Sequence, residues 1–269
     1  VQGKVVGTPK EDRTSPIVGH PDVRRMLLDM RSLTEAMRGI CLMNAVAMDR
    51  AGSLADEDAR QAAEDLNELL IPITKAWCTD MGVEVTSLAI QVYGGMGFVE
   101  ETGVSQFFRD ARIAPIYEGT NGIQAMDLVG RKLPMRSGGV VTDTIADIRA
   151  TAAALSADDE LAGIGARLAE ATDALDEATQ WIFGHAGEIR DVLAGATPYL
   201  RMWGLVVGGW VLGKSALAAA EWAADDGPAD FCAEKVRTAR WFADQHLSTV
   251  VGLTARATSG ASLMDEASL

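Results

Sequence analysis

From residue 22 onward, apolar side chains recur every three or four positions: Val23, Met26, Leu27, Met30, Leu33, Met37, Ile40 and Cys41. That period places them on one face of an α-helix over residues 22–51. Pro21 suits its first position, where the missing N–H is no loss, and Gly52-Ser53 ends it. A more polar helix is expected over 55–70, interrupted at Pro72, since proline removes an intrahelical hydrogen bond. The apolar period resumes over 73–92 with Trp77, Met81, Val85, Leu88 and Ala89, and Gly94, Gly95 and Gly97 stop it. A short helix over 103–111, a loop over 112–117 around Pro115 and another helix over 120–133 follow.

Residues 134–140, Pro-Met-Arg-Ser-Gly-Gly-Val, read as a boundary. Beyond it the chain turns alanine-rich with dispersed Asp and Glu. Helices are expected over 142–155, 159–193, 199–224 and 231–253, with turns at Gly195, 225–228 and Gly252. Small residues at Gly204, Gly208, Gly209, Gly213, Ala216 and Ala220 imply close approach in an antiparallel bundle. No stretch alternates as a strand does. The fold class is therefore all-α, a helical domain over 1–135 followed by a second helical bundle over 136–269, with residues 1–20 polar and irregular.

Composition narrows the function. The formal net charge is −14, which disfavours a phosphate-binding surface and hence nucleic acid. Three scattered cysteines (Cys41, Cys78, Cys232) and three scattered histidines (His20, His185, His246) suggest neither a disulfide framework nor a metal centre, and a reducing compartment. The most apolar run, 202–213, is too short to span a bilayer and reads as a buried helix. Residues 1–13 lack the apolar segment of a signal peptide, so a soluble, cytoplasmic protein is expected. The chain opens on Val-Gln-Gly, which raises the expectation of a piece of a longer polypeptide.

Two motifs stand about 25 residues apart: Gln91-Val92-Tyr93-Gly94-Gly95-Met96-Gly97-Phe98, and the run 109–124 that holds Ile116-Tyr117-Glu118-Gly119-Thr120-Asn121. The glycines permit positive φ and close approach of a ligand or another backbone. Glu118 could be a first-turn carboxylate favoured by a helix dipole, which is also what an ordinary helix start looks like.

Taken in order, Q-V-Y-G-G-M-G-F and R-D-A-R-I-x-x-I-Y-E-G-T-N-x-I-Q resemble the acyl-CoA dehydrogenase family. The resemblance implies FAD as cofactor and Glu118 as the base that removes the α-proton of an acyl-CoA thioester, giving a trans-2-enoyl-CoA. It implies flavin contacts at Gln91, Gly94, Gly95, Thr120, Asn121 and Gln124, with Tyr117 and Gly119 lining the substrate pocket. An electron-transfer flavoprotein as electron acceptor and assembly as a homo-oligomer are also implied. A base of this kind is expected to be partly desolvated, and Ile116 and Tyr117 would limit water. Arg109 and Asp110 are assigned to structure, with Asp110 paired to a nearby Arg.

His20-Pro21 stands where many members have His-Gln, and the proline departs from that pattern. Residues 199–204, Gly209-Trp210 and Lys235 with Ala239-Arg240-Trp241-Phe242 resemble the extra carboxy-terminal helical domain of a larger subgroup that includes 3-methylmercaptopropionyl-CoA dehydrogenases. The family's amino-terminal helical and middle β-domains have no counterpart here, so the chain alone is expected to be inactive. Two alternatives stay open: a catalytically silent helical oligomerisation module, and a flavin oxidase of the same fold, although that relative uses Asp where Glu118 stands.

Overall fold

Every regular element among the described residues, 16–268 of the computed structural model, is helical. Most of the irregular stretch expected over 1–20 lies outside them. Helix α1 (Pro21–Ser53) opens on its proline, and α2 (Glu57–Tyr93) starts at Asp56, whose side chain accepts from the Ala59 N–H at 2.8 Å. Asn44 of α1 reaches Asn67 of α2 at 2.7 Å, and Cys78 lies against the Met37 carbonyl, so the two helices run antiparallel.

The expected interruption at Pro72 does not occur, and α2 is continuous through it. Proline within a helix costs on the order of 3 kcal/mol. Leu69, Leu70, Ile73, Ala76 and Trp77 flank it and are almost wholly buried. Each large apolar side chain contributes roughly 1.5–3 kcal/mol on burial, so packing on this face outweighs the lost bond.

Short helices α3 (Gly95–Phe98), α4 (Val104–Ile113) and α5 (Asn121–Asp127) follow, and α5 widens into a π turn over Leu128–Lys132. At 135–138 the chain kinks sharply, with Arg136 and Ser137 both at positive φ. Arg136 is held there by Asp65 at 3.0 Å and by Asp143.

Then come α6 (Gly139–Ser156), α7 (Ala162–Gly184), α8 (Ile189–Ala224), α9 (Ala229–Gln245) and two short terminal helices, α10 (Thr254–Ala257) and α11 (Ser262–Glu266). The helix expected over 159–193 stops at Gly184, and the expected turn at Gly195 lies inside α8, which also passes through Pro198. The glycine has a packing reason instead. A Cβ on Gly195 would fall 1.9 Å from the Ala257 carbonyl oxygen, so its absence lets α10 dock on α8.

Helix α8 is the axle of the molecule. By length and composition it could cross a membrane, but 78% of its most apolar window is buried inside the fold, as a core helix requires. Its small residues are sockets for side chains. A Cβ at Gly204 would meet Trp77 at 2.0 Å, one at Gly208 would meet Phe242 at 2.9 Å, and one at Gly213 would meet Leu155 at 2.9 Å. Partners from α2, α6 and α9 thus insert around the helix on more than one face. A single hydrophobic core runs across the kink, from Leu33 and Leu70 through Trp203 to Ile148 and Leu168.

Candidate functional site

The segment 113–121 folds back on itself. Tyr117 N–H donates to the Ile113 carbonyl at 3.1 Å, and Asn121 N–H donates to the Pro115 carbonyl at 3.0 Å. Between these closures Glu118 has φ +55° and Gly119 has φ +80°. Two successive left-handed residues make a sharp turn, and a non-glycine residue there carries local backbone strain of order 1 kcal/mol or more. Thr120 then caps α5, accepting from the Ile123 N–H at 3.3 Å.

Asn121 nails this turn to the middle of α2. Its amide nitrogen lies 3.0 Å from the Ala76 carbonyl, 2.9 Å from Thr79 Oγ1 and 2.7 Å from Asp80 Oδ1. Its oxygen accepts from Lys75 Nζ at 2.8 Å. Burial raises the Asp80 carboxyl above its usual range, with the bond from Asn121 pulling the other way, and burial lowers Lys75. The Asn121 side chain, expected to contact flavin, is therefore committed to holding the turn.

Glu118 itself points into solvent, as do Tyr117, Gly119 and Thr120. The desolvation expected from its apolar neighbours is not supplied by the described residues. Ile113, Ile116, Tyr117, Ile123 and Met126 surround the turn, but each is between 46% and 55% exposed, so they form an open collar and no lid. Gln124 is half-buried, its Nε2 beside Gly119.

The second motif lies elsewhere on α2. Gly94 ends that helix at φ +61° and ψ −145°, and its N–H donates to the Gln91 carbonyl at 3.0 Å. Gln91, Gly94 and Gly95 are exposed there. From Asp80 to Gly94 is fourteen residues of helix and turn, about 20 Å at 1.5 Å per residue. The two motifs are thus strung along one helix without converging. Of this cluster Gly97 alone is buried, since a Cβ would fall 2.3 Å from the Ile90 carbonyl oxygen.

Arg109 is structural as expected, donating twice to Glu100, at 2.8 and 2.9 Å, which ties α4 to the preceding turn. The Arg partner expected for Asp110 is not what it meets; its carboxylate accepts from Gln106 at 3.4 Å.

A cavity of about 540 Å³ between α1, α2, α6 and α8 and another of about 810 Å³ beside α8 and α9 are lined by none of the predicted site residues. The residues expected to hold a flavin therefore do not form an enclosed cradle among the described residues. No cluster of metal-ligating side chains is present among them either.

Comparison with known proteins agrees with the two motifs. Residues 8–133 match the family model "Acyl-CoA dehydrogenase, C-terminal domain", and residues 144–266 match "Acetyl-CoA dehydrogenase C-terminal like". The chain is 45% identical to the 3-methylmercaptopropionyl-CoA dehydrogenase of Ruegeria pomeroyi, over 92% of this chain and 42% of that protein. It is 28% identical to a broad-specificity linear acyl-CoA dehydrogenase of Mycobacterium tuberculosis, over 89% of this chain and 42% of the relative. Among solved structures, a Bacillus anthracis acyl-CoA dehydrogenase complexed with FAD superimposes with a TM-score of 0.72, at 16% identity, over 92% of this chain and 44% of that one. At that identity the likeness speaks for the fold. The chain spans about two fifths of the length of these relatives.

Proposed function

The chain belongs to the acyl-CoA dehydrogenase family, and from that premise we propose that it is the carboxy-terminal helical portion of an enzyme that dehydrogenates an acyl-CoA thioester to the trans-2-enoyl-CoA, with Glu118 as base. The observation that carries this reading is the turn 117–120. A carboxylate in a left-handed conformation is fixed to α2 through Asn121 and raised out of an apolar collar. Among the described residues the carboxylate is exposed and enters none of the ion pairs.

The base acts on the α-carbon, whose proton is acidified by the adjacent thioester. Transfer requires the carboxylate oxygen to approach within about 3 Å and to lose most of its water. In this chain Glu118 is hydrated. A covering surface over Ile113, Ile116, Tyr117 and Ile123 would expel that water. Gly119, at positive φ, takes the left-handed backbone that the turn beside the base requires. Tyr117 and Gly119 then line the substrate side.

The redox half of the reaction belongs to a flavin that these residues do not enclose, so no step is assigned to it here. We read residues 1–135 as the part that carries the chemistry and 136–269 as its helical extension. An electron-transfer flavoprotein as acceptor and assembly into a homo-oligomer complete the proposal, the latter consistent with exposed Tyr93, Met96, Phe98 and Phe107.

The test is Glu118→Gln in the full-length dehydrogenase. Turnover of acyl-CoA should fall by about 10³-fold or more, within the scale for loss of a positioned base, while flavin content is unchanged. Turnover within a few-fold of the parent enzyme would remove Glu118 from this role.

A further inference from the structure

Two of the three cysteines meet across the α1–α2 interface. Cys78, half-buried on α2, lies with its sulfur 3.9 Å from the Met37 carbonyl oxygen of α1. That carbonyl is one helical turn before Cys41 and is the acceptor its backbone N–H uses in a regular helix. Side chains lean toward the amino terminus of their own helix, so Cys41 covers the turn that Met37 occupies. Helix α2 runs the opposite way, so Cys78 leans toward Cys41 in turn. The antiparallel register thus turns the two side chains toward each other across the interface. Cys41 is exposed and Cys78 is covered. Cys232 is buried on α9, away from both.

We propose that Cys41 and Cys78 form a dithiol site that reacts with small-molecule disulfides, Cys41 as the entry thiol and Cys78 as the resolving one. The Cys41 thiolate attacks one sulfur of the disulfide, whose S–S bond breaks and releases a thiolate. Cys78 gives up its proton to solvent and attacks the Cys41 sulfur of the mixed disulfide. A Cys41–Cys78 bond forms and a second thiolate leaves. Two protein thiols are oxidised and one disulfide is reduced to two thiols, so electrons and atoms balance. The neighbouring thiol lowers Cys41 and, with burial, raises Cys78, and Cys41 is the exposed one of the two, so Cys41 reacts first.

The consequence reaches the turn described above. Cys78 sits between Ala76 and Asp80, in the stretch of α2 that holds Asn121. Linking it to α1 fastens that stretch covalently.

The experiment treats the folded 269-residue chain with oxidised glutathione and maps the products by non-reducing peptide mass spectrometry. The expected product is a Cys41–Cys78 cross-link without retained glutathione, formed at least tenfold faster than any adduct at Cys232. Cys78→Ala should stop at a stable glutathione adduct on Cys41. The exposed position gives a second variant, Cys41→Ala, which should leave Cys78 unmodified over the same time. A persistent glutathione adduct on the unsubstituted chain would overturn the proposal. So would modification of Cys78 in Cys41→Ala at the parent rate, or reaction of Cys41 no faster than that of Cys232.

Discussion

The two halves of the molecule treat their apolar side chains differently. In α6–α10 most large apolar residues go inward, with Ile189, Trp222, Phe231 and Val251 as exposed exceptions, and α8 is buried almost completely from Met202 to Gly213. In α2–α5 a series of them stays outside: Tyr93, Met96, Phe98, Phe107, Ile113, Ile116, Tyr117, Ile123 and Met126 are each between 46% and 86% exposed. Monomeric proteins rarely leave so many large apolar groups together at the surface. The first kind of region is held by its own packing. The second adds polar anchors, Asn121 on α2 and Arg109 on Glu100, to its buried side of α2 and leaves these apolar groups uncovered. If the proposed base is the one in use, stability and function are separated along the chain, and substitutions show how completely.

The largest effect is expected on the axle. Gly204→Ala would drive a methyl group into the fully buried Trp77 ring, and overpacking of this severity costs about 3 kcal/mol. Chemical denaturation should show it as a lower midpoint with unchanged slope. Next comes the anchor. Asn121→Ala strands Asp80 and Lys75 without their shared partner, at a cost of about 2 kcal/mol. It should also loosen the turn, visible as faster amide exchange over 117–121. Little change at Asn121 would mean the turn is held by its own backbone bonds.

A smaller effect comes from pH. Burial lowers the proton affinity of His246 below its ordinary value of 6.5, despite Asp29 at 3.5 Å. The folded state thus prefers the neutral ring, and the unfolded chain binds the extra proton first. Its contribution is fully present above 6.5 and is lost as pH falls below it. Thermal unfolding should shift down over that range, and His246→Gln should flatten the shift. The smallest stability effect is predicted on the exposed aromatic side chains of α3 and α4: Phe98→Ser with Phe107→Ser should stay within about 0.5 kcal/mol of the parent, as surface changes do. The same pair should reduce self-association in sedimentation velocity. A large loss of stability would erase the contrast between the halves.

Much of this was legible in the residues, for identifiable reasons. The 3.6-residue period of Met26, Leu33, Met37 and Ile40 gave α1 nearly to its ends, and the Ala-rich period beyond the kink gave an all-helical second half. Pro72 and Gly195 misled because local propensity opposes a helix there, and only tertiary packing, invisible in a local window, reverses it. The motif 109–124 drew attention to Glu118, but its exposure could not be read from apolar neighbours, since Ile116 and Tyr117 face outward with it. The bonds from Asn121 to α2 were hidden: a short amide near a helix start says nothing about which element, forty residues earlier, it will bind. The Cys41–Cys78 approach was equally hidden, because it needs the antiparallel register of α1 on α2.

The central claim is that the turn 117–120 presents a base to the α-carbon of a thioester. Its most direct test is exchange of the substrate α-proton with deuterated solvent in the full-length enzyme, compared with Glu118→Gln, because exchange reports proton removal apart from oxidation. The account predicts measurable exchange in the parent enzyme and its loss by about 10³-fold in the variant, with acyl-CoA affinity little changed. Exchange persisting in the variant at a rate near the parent's would contradict it.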